Sequence, residues 1–582
     1  MRPAPRPAPR RPTEDPMKRS YITIGLIAAV VVALAAVVFG GGGGDDGPSG
    51  SGTTGTPVSR APAGALEVSF AYSPEKEALL KPLIDRFNAD RTKVGGRQVF
   101  VSGRVIASGD AERRIAAGSL KPTVWSPAGS LWGRLLNFDA DRAYVAKTNR
   151  SIVSTPLVIA MWEPLARALG WPKKQVSYAD ILKLATAKGG WGAVGHPEFG
   201  DFRLVHTNPE FSTAGLEAVV AEYYAAVGKK EGLTTADVKA ARDKVRAIEN
   251  SIVHYGDTTL FIEQQLRKGG PGYASAVAME ETTVAGFNRD RGGQPKLIAL
   301  HPKEGTFFSD SPYAVLDAPW VTAEQKQGAA AFDAFLKVNV DADAAARRGF
   351  RIGTTPVEER GTLTADNGVD VQQQLRTLSL PEPRVMDALK SAWRADRKPA
   401  NVLLVTDVSG SMNDEGRLQN AKDGLKAFFA QVSPRDRVGL VAFSDTTRLQ
   451  LPLQAFSAAR QRLLGAVQTL SADGGTSVYD ATIDALRTVR NEAGKDDRIN
   501  AVVLLTDGED TDSRRSLEDA VRAAGEQPDS AGEVRIFTIA YSAGAAGSAD
   551  ALKRIAEASN GKAYTGDTDD IDGVYRSISS FF

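Results

Sequence analysis

The stretch VLLVTDVSGSMND, residues 402–414, decides the fold of the C-terminal part of this 582-residue chain. Its first residues are apolar, as in a buried strand, and the run ends in Asp407, Ser409 and Ser411. A second apolar run, AVVLLTDGED, ends in the same way at Asp507. Continuously apolar strands are typical of a parallel sheet covered by helices on both faces. We therefore predict a parallel sheet with two aspartates at its carboxyl edge.

Strands and helices alternate through this part of the chain, which predicts a doubly wound α/β domain. The predicted strands are residues 401–406, 438–443, 501–506 and 535–540. The predicted helices are residues 418–431, 458–470, 478–490, 516–524 and 549–558.

The carboxyl ends of the strands in an open parallel sheet are where ligands collect. Ser409 and Ser411 follow Asp407 by two and four residues, and Gly410 between them permits a tight bend. A third loop, SADGGTSVYDA, adds Thr476 after a Gly-Gly pair. Carboxylate and hydroxyl oxygens are ligands that a hard divalent cation prefers. The pattern therefore predicts a metal site with an open coordination position, which would accept a carboxylate from a protein partner.

Five of these residues together resemble the metal-ion-dependent adhesion site of von Willebrand factor type A (VWA) domains: Asp407, Ser409, Ser411, Thr476 and Asp507. The resemblance covers residues 399–582. It implies a Rossmann-like fold that binds a protein partner through Mg²⁺ or Mn²⁺, with Ca²⁺ as an alternative ion. For any one of the loops alone, an Asp/Ser-rich turn that caps a helix is the alternative interpretation.

Residues 66–365 resemble the two-lobed, type 2 class of bacterial extracellular solute-binding proteins. The segments that carry this resemblance are LEVSFAYSPEKEALLKPLIDRFN, STPLVIAMW, HTNPEFSTAGL and HPKEGTFFSDSPYAVL. The resemblance implies that loops at strand ends bind a small polar or anionic solute, with Ser73, Ser126, Thr155 and Ser212 as candidate contacts. The alternative for each hydroxyl is a helix cap. Residues 366–398 are predicted to be a connector.

The N-terminal 65 residues predict a membrane anchor followed by a tether. Residues 1–20 are rich in Pro and Arg and are expected to be a disordered cytoplasmic tail. Residues 21–39 contain no charge and are long enough to cross a bilayer as a helix. Basic residues precede this span, so the rest of the chain is expected to be extracytoplasmic at the cell membrane. The Gly/Ser/Thr-rich residues 40–65 predict a flexible linker. A cleaved signal peptide ending in Ala-Leu-Ala is the alternative.

Composition excludes several classes of function. Lys and Arg number 71 and Asp and Glu number 70, so the chain lacks the basic excess of a nucleic-acid binder. The absence of cysteine excludes disulfides, thiolate metal sites and a cysteine nucleophile. All four histidines precede residue 400, so a metal in the C-terminal domain needs oxygen ligands and a Ser-His-Asp triad is excluded there. We interpret His206, His254 and His301 as structural histidines.

These observations predict a membrane-anchored extracytoplasmic binding protein and not an enzyme. A solute-binding-like module would precede a VWA domain that binds a protein partner through a divalent cation. The alternative is the solute-binding component of an ABC-type transport system, with the VWA domain as a docking module. A metal-dependent hydrolase is a third interpretation.

Overall fold

The computed structural model describes residues 61–354, 358–492, 494–526, 532–541, 546–566 and 571–582. The predicted tail and membrane span, residues 1–39, and most of the predicted linker lie outside this part. Within the described residues, no helix has the length and apolar character needed to cross a bilayer. The described residues belong to one compact unit.

The strands are, in chain order, β1 (Leu66–Tyr72), β2 (Lys93–Val94), β3 (Arg97–Val105), β4 (Val124–Ser126), β5 (Arg150–Ser151), β6 (Thr155–Trp162), β7 (Leu204–Thr207), β8 (Ile252–Gly256), β9 (Ala276–Glu280), β10 (Leu297–Leu300), β11 (Phe308–Ser309), β12 (Pro312–Val315), β13 (Ala400–Asp407), β14 (Arg437–Phe443), β15 (Thr447–Ala455), β16 (Ile499–Thr506), β17 (Val534–Tyr541) and β18 (Lys562–Gly566).

The α-helices are α1 (Glu77–Ala89), α2 (Ser108–Ala116), α3 (Leu131–Asp139), α4 (Glu163–Ala168), α5 (Tyr178–Thr186), α6 (Thr213–Val227), α7 (Thr235–Glu249), α8 (Thr259–Gly269), α9 (Glu281–Arg289), α10 (Ala323–Asn339), α11 (Ala342–Ala346), α12 (Pro383–Asp396), α13 (Arg417–Phe429), α14 (Phe456–Gln468), α15 (Val478–Arg490), α16 (Leu517–Gly525), α17 (Ala546–Ala558) and α18 (Ile571–Ser579).

Two mixed sheets build the part of the chain that precedes the connector. The first sheet has the order β2-β3-β1-β4-β12-β5, and the second has the order β10-β6-β9-β7-β8, with β11 paired to β6. The chain passes from the first sheet to the second between β5 and β6, and returns between β11 and β12. This part is therefore mixed α/β. Its predicted two-lobed arrangement stays a prediction.

The third sheet, with the order β15-β14-β13-β16-β17-β18, contains the four predicted strands at its centre. Its inner strands β13, β16 and β17 are buried along their whole length, as their apolar sequences predict. One expectation is wrong: the sheet is not fully parallel, because β15 is an antiparallel edge strand paired to β14. Most of β15 is exposed or half-buried, so it lacks the apolar run that identified its neighbours.

The predicted connector contains α12, whose buried face carries Val385, Leu389 and Trp393. Asp396, at its end, accepts hydrogen bonds from Arg242 and Arg246 of α7. The helix is thus fixed to the second sheet's layer of helices. Buried residues of all three sheets belong to one continuous hydrophobic cluster, so the connector does not act as a free tether.

Candidate functional site

Two adjacent strands bring aspartates to one edge of the third sheet. Asp407 is the last residue of β13, and Asp507 directly follows β16. The strands run parallel, with Thr406 of β13 opposite Leu505 of β16. Because both strands end at the same edge, the two carboxylates lie side by side at the position where an open parallel sheet binds ligands.

Asp407 is fully buried and is held by hydrogen bonds on both oxygens. The backbone N–H of Ser409 donates to Oδ1 at 2.7 Å, and the hydroxyl of Thr506 donates to Oδ2. Burial, helped by the charge of the neighbouring Asp507, raises the pKa of the Asp407 carboxyl to about 6 against the effect of these hydrogen bonds. A buried carboxylate with a raised pKa gains stability from a nearby cation.

A chain of oxygen atoms joins the first loop to Asp507. The hydroxyls of Ser409 and Ser411 lie 3.1 Å apart, and Ser411 donates to Asp507 Oδ1 at 2.8 Å. The other oxygen of Asp507, Oδ2, accepts from Arg417 at 2.8 Å. The serine loop therefore folds back over the end of β16, as the spacing of its residues predicts.

The third loop places Thr476 beside the same group. Its Oγ1 and the Oγ of Ser411 lie 3.8 and 3.9 Å from the position that a Cβ on Gly508 would occupy. The backbone N–H of Thr476 donates to Asp512 Oδ2 at 3.2 Å, which fixes the loop. A Cβ on Gly475 would lie 1.7 Å from that carboxylate oxygen, so a larger residue here would force the Asp512 side chain to move.

The five sequence-predicted metal ligands thus lie on one sheet edge, in three loops. Their side chains offer only oxygen atoms, two of them on carboxylates, and this donor set fits a hard divalent cation. The residues that would hold the ion are Asp407, Ser409, Ser411, Thr476 and Asp507. The ion would offer a Lewis-acidic position to a ligand carboxylate.

Sequence reasoning missed three residues that support this edge: Thr506, Arg417 and Asp512. Thr506 directly precedes Asp507, and a hydroxyl residue next to an aspartate at a strand end could have been recognised in the sequence as part of the site. Arg417 contacts Asp507 from the start of α13, 90 residues away in sequence. Only the folded loop reveals that contact.

A cavity between the first and second sheets, here called the inter-sheet cavity, lies at the carboxyl ends of β1, β4, β7, β8 and β9. Ser73 and Ser212, two of the predicted solute contacts, line it. The other two are not among its lining residues. Ser126 Oγ is buried without a hydrogen-bond partner, and Thr155 Oγ1 accepts from the backbone N–H of Thr282 at 3.2 Å.

The charged residues that line the inter-sheet cavity are all carboxylates: Glu75, Asp257 and Glu280. Burial raises the pKa of Glu280 to about 7, and the charge of Glu75 adds to this effect. Among the described lining residues there is no Lys, Arg or His. The buried Lys76 donates to Ser73 Oγ at 2.7 Å and to Pro127 O at 2.9 Å.

One carboxylate of this cavity is shared with the third sheet. Lys562, the first residue of β18, lies 2.5 Å from Asp257 Oδ2; the Asp257 side chain is buried and that of Lys562 is 11% exposed. Its Nζ also lies 5.8 Å from the centre of the Phe261 ring, in α8. Phe261 in turn packs edge-on against Phe581, at a centroid distance of 5.0 Å. The cavity wall and the C-terminal domain are therefore in direct contact.

Residues 401–574 match the family model of the von Willebrand factor type A domain. This part of the chain is therefore a VWA domain, and it carries the three loops described above. The match covers less than half of the chain, so it defines the class of the C-terminal domain and not of the whole protein.

Among curated relatives, human inter-alpha-trypsin inhibitor heavy chain H4 is 31% identical over 138 residues, which are 22% of this chain and 14% of that protein. A solved VWA structure from Catenulispora acidiphila is 23% identical and covers 31% of this chain and 42% of that one, with a TM-score of 0.27. A periplasmic thiamin binding protein is 11% identical and covers 58% and 98%, with a TM-score of 0.41. The chain spans between 12 and 29% of the length of the first curated relatives that it matches.

Proposed function

We propose that the VWA domain binds a divalent cation, Mg²⁺ or Mn²⁺, and uses it to bind an acidic residue of a protein partner. The observation that carries the proposal is the group of five oxygen-bearing side chains on one sheet edge, with two buried carboxylates at its centre. We further propose that the chain is anchored in the cell membrane by residues 21–39, faces the extracytoplasmic side and has no catalytic activity.

The test is calorimetric titration of the full-length protein with Mg²⁺ and with Mn²⁺. We expect Asp407→Ala to abolish binding of one equivalent of the ion, because Asp407 is one of only two carboxylates in the donor set. Asp414→Ala is the matched control, since Asp414 lies exposed in the same loop. Protein capture on the immobilised chain should depend on Mg²⁺ and be lost with a chelator. Equal Mg²⁺ binding by wild type and Asp407→Ala would refute the proposal.

A second function, binding of a small solute in the inter-sheet cavity, is supported by its position and lining. Loops from strands of both sheets meet there, as expected of a ligand cavity. Its lining carboxylates disfavour an anion, so we propose a solute that is cationic or polar and uncharged. The transport alternative, in which this domain supplies a permease, requires the same binding.

A thermal-shift screen of the full-length protein tests this second function. We expect small organic ammonium ions to raise the melting temperature and carboxylates of similar size to leave it unchanged. Glu280→Gln should remove the response, whereas Glu324→Gln, at an exposed site, should keep it. A response to anions alone would contradict the proposed charge preference.

A further inference from the structure

Three side chains from distant parts of the second sheet's layer meet in a buried cluster: His206 of β7, Glu222 of α6 and Glu249 at the end of α7. One donor atom of each lies within 4.8 Å of those of the other two. All three side chains are buried. This cluster is separate from the sheet edge of the VWA domain, and it contains the imidazole nitrogen that the edge lacks.

The hydrogen bonds of His206 direct its Nε2 toward the carboxylates. Nδ1 lies 2.8 Å from the carbonyl oxygen of Thr207, which can only accept, so Nδ1 carries a proton. Nε2 lies 3.2 Å from Glu249 Oε1. A histidine that ligates a metal commonly donates its other ring N–H to a backbone carbonyl, which fixes the ring and directs the free nitrogen to the ion.

The second oxygen of Glu249 is also held in place. The hydroxyl of Tyr255 donates to Glu249 Oε2 at 2.6 Å. Two ligands bound to a tetrahedral zinc ion at about 2.0 Å lie roughly 3.3 Å apart. The 3.2 Å between His206 Nε2 and Glu249 Oε1 matches that separation, as well as a hydrogen bond.

Glu222 distinguishes a metal site from an ordinary ion pair. Its Oε2 has no hydrogen-bond partner, although the residue is only 3% exposed. Protonation of His206 would neutralise only one of the two carboxylates, and protonation of Glu222 would leave Oε2 without a partner. No Lys or Arg among the described residues forms an ion pair with either carboxylate. A divalent cation would neutralise both carboxylates and supply the missing partner.

We propose that His206, Glu222 and Glu249 bind a divalent transition-metal ion of the Zn²⁺ class. A set of one imidazole nitrogen and two carboxylate oxygens suits Zn²⁺ and its first-row neighbours better than Mg²⁺ or Ca²⁺, which prefer oxygen ligands alone. The proposal does not depend on the cation site of the VWA domain.

The role of this ion is structural. It joins β7, α6 and α7, and through Tyr255 it supports the entry into the VWA domain. The hydroxyl of Tyr255 accepts a hydrogen bond from the backbone N–H of Lys398 at 3.3 Å, and its ring lies 5.3 Å from that of Trp393 in α12. The metal would thus stabilise the junction between the connector and the second sheet.

The test is zinc binding by the tag-free full-length chain that carries Asp507→Ala, so that the sheet-edge site does not contribute. After equilibrium dialysis against Zn²⁺, we expect one equivalent of zinc by elemental analysis and a melting temperature several degrees above that of the chelator-treated protein. Adding Glu222→Gln should weaken zinc binding more than tenfold and abolish the temperature shift.

Glu217→Gln is the matched control, because Glu217 is equally buried on the same helix but lies outside the cluster. It should retain both zinc and the temperature shift. X-ray absorption of the zinc-loaded Asp507→Ala protein gives a result that does not depend on how Glu222→Gln folds. It should show one imidazole among nitrogen and oxygen ligands. Failure to bind zinc, equal zinc binding by Glu222→Gln, or a zinc spectrum without imidazole would overturn the proposal.

Discussion

At the scale of single residues, Arg417 sets the charge balance of the sheet-edge site. Its guanidinium is 15% exposed and contacts both Asp507, at 2.8 Å, and Glu415, at 3.2 Å. A positive charge at this distance neutralises part of the carboxylate charge that a metal ion would use. Arg417 therefore competes with the metal cation for the carboxylate of Asp507.

Removal of this competing charge should tighten cation binding. We expect Arg417→Ala to lower the Kd for Mg²⁺ about tenfold, because Coulomb repulsion between two cations a few ångströms apart is worth more than 1 kcal/mol at a partly buried site. Arg417→Lys keeps the charge and should leave the Kd nearly unchanged. Calorimetric titration measures both. Weaker binding by Arg417→Ala would show instead that Arg417 positions Asp507 for the ion.

A second prediction at the scale of single residues concerns Gly475, in the loop that carries Thr476. A methyl group at this position would collide with the Asp512 carboxylate and displace it from the N–H of Thr476. We expect Gly475→Ala to weaken Mg²⁺ binding several-fold with little loss of stability, since the side chain of Asp512 can move aside. Gly465→Ala in α14 is the control, because no atom lies within 4 Å of the added Cβ. An unchanged Mg²⁺ affinity in Gly475→Ala would show that the hydrogen bond between Asp512 and the N–H of Thr476 is not needed for metal binding.

At the scale of elements, Asp436 anchors the first strand of the VWA domain. Its carboxylate accepts hydrogen bonds from Arg397 at 2.7 Å, from the N–H of Ala400 at 2.8 Å and from that of Ser433 at 2.9 Å. Arg397 and Asp436 are both buried. The Asp436 carboxylate, directly before β14, therefore connects the end of α12 to the start of β13.

Breaking this pair should destabilise the junction strongly. We expect Asp436→Asn to lower the free energy of unfolding by about 3 to 5 kcal/mol, because Arg397 would keep a buried charge without a counterion. Asp423→Asn removes an exposed pair with Lys426 and should cost less than about 1 kcal/mol. Urea denaturation followed by tryptophan fluorescence compares the two variants. Equal midpoints for both would contradict the assigned role.

A second contact between elements, that of Glu210 with Arg394, is sensitive to pH. Burial alone would raise the pKa of Glu210, but the guanidinium of Arg394 in α12 outweighs burial and holds the pKa below its ordinary value. A carboxylate whose pKa is lowered by folding stabilises the protein above the pKa of the unfolded chain, about 4.3 for Glu. That contribution is lost as the pH falls through the pKa of the folded state.

Glu210→Gln should therefore reduce stability at neutral pH and not in acid. We expect a loss of about 1 kcal/mol at pH 7, because Arg394 is half exposed, and a smaller difference from wild type below about pH 4. Glu382→Gln, which removes an exposed partner of Arg134, should match wild type throughout. Thermal unfolding across the pH range measures this. A difference that does not vary with pH would mean that packing and not charge holds Glu210.

At the scale of the whole molecule, the VWA domain was predictable from sequence because the patterns that identify its strands and site residues each lie within a short stretch of sequence. An apolar run followed by an aspartate identifies each central strand, and the topology of a parallel sheet brings the strand ends together. Strand β15 was missed because an edge strand is mostly solvated. His206 was interpreted as a structural histidine because Glu222 and Glu249 lie 16 and 43 residues away in sequence. Residues this far apart form no recognisable sequence motif, so only the fold shows that they are close.

The pair Lys562–Asp257 tests the contact between the two halves of the chain. The residues are 305 positions apart; the Asp257 side chain is buried and the Lys562 side chain is mostly buried. We expect Lys562→Ala to cost about 3 kcal/mol, since Asp257 would keep an unpaired buried charge, and the double variant with Asp257→Asn to recover part of the loss. Urea denaturation of the four proteins gives the coupling energy. Simple additivity would show that the pair contributes nothing by itself.

The edge strand β15 has a consequence for how copies of the protein behave at high concentration. An exposed edge with an apolar residue such as Leu449, 56% exposed, is a template on which a strand from another molecule can add. Pro452 interrupts that template because it has no N–H to donate, and the register shifts between β14 and β15 distort the strand on either side of Leu440. We therefore expect Pro452 and these register shifts to limit the addition of a foreign strand at this edge, and with it fibrous self-assembly.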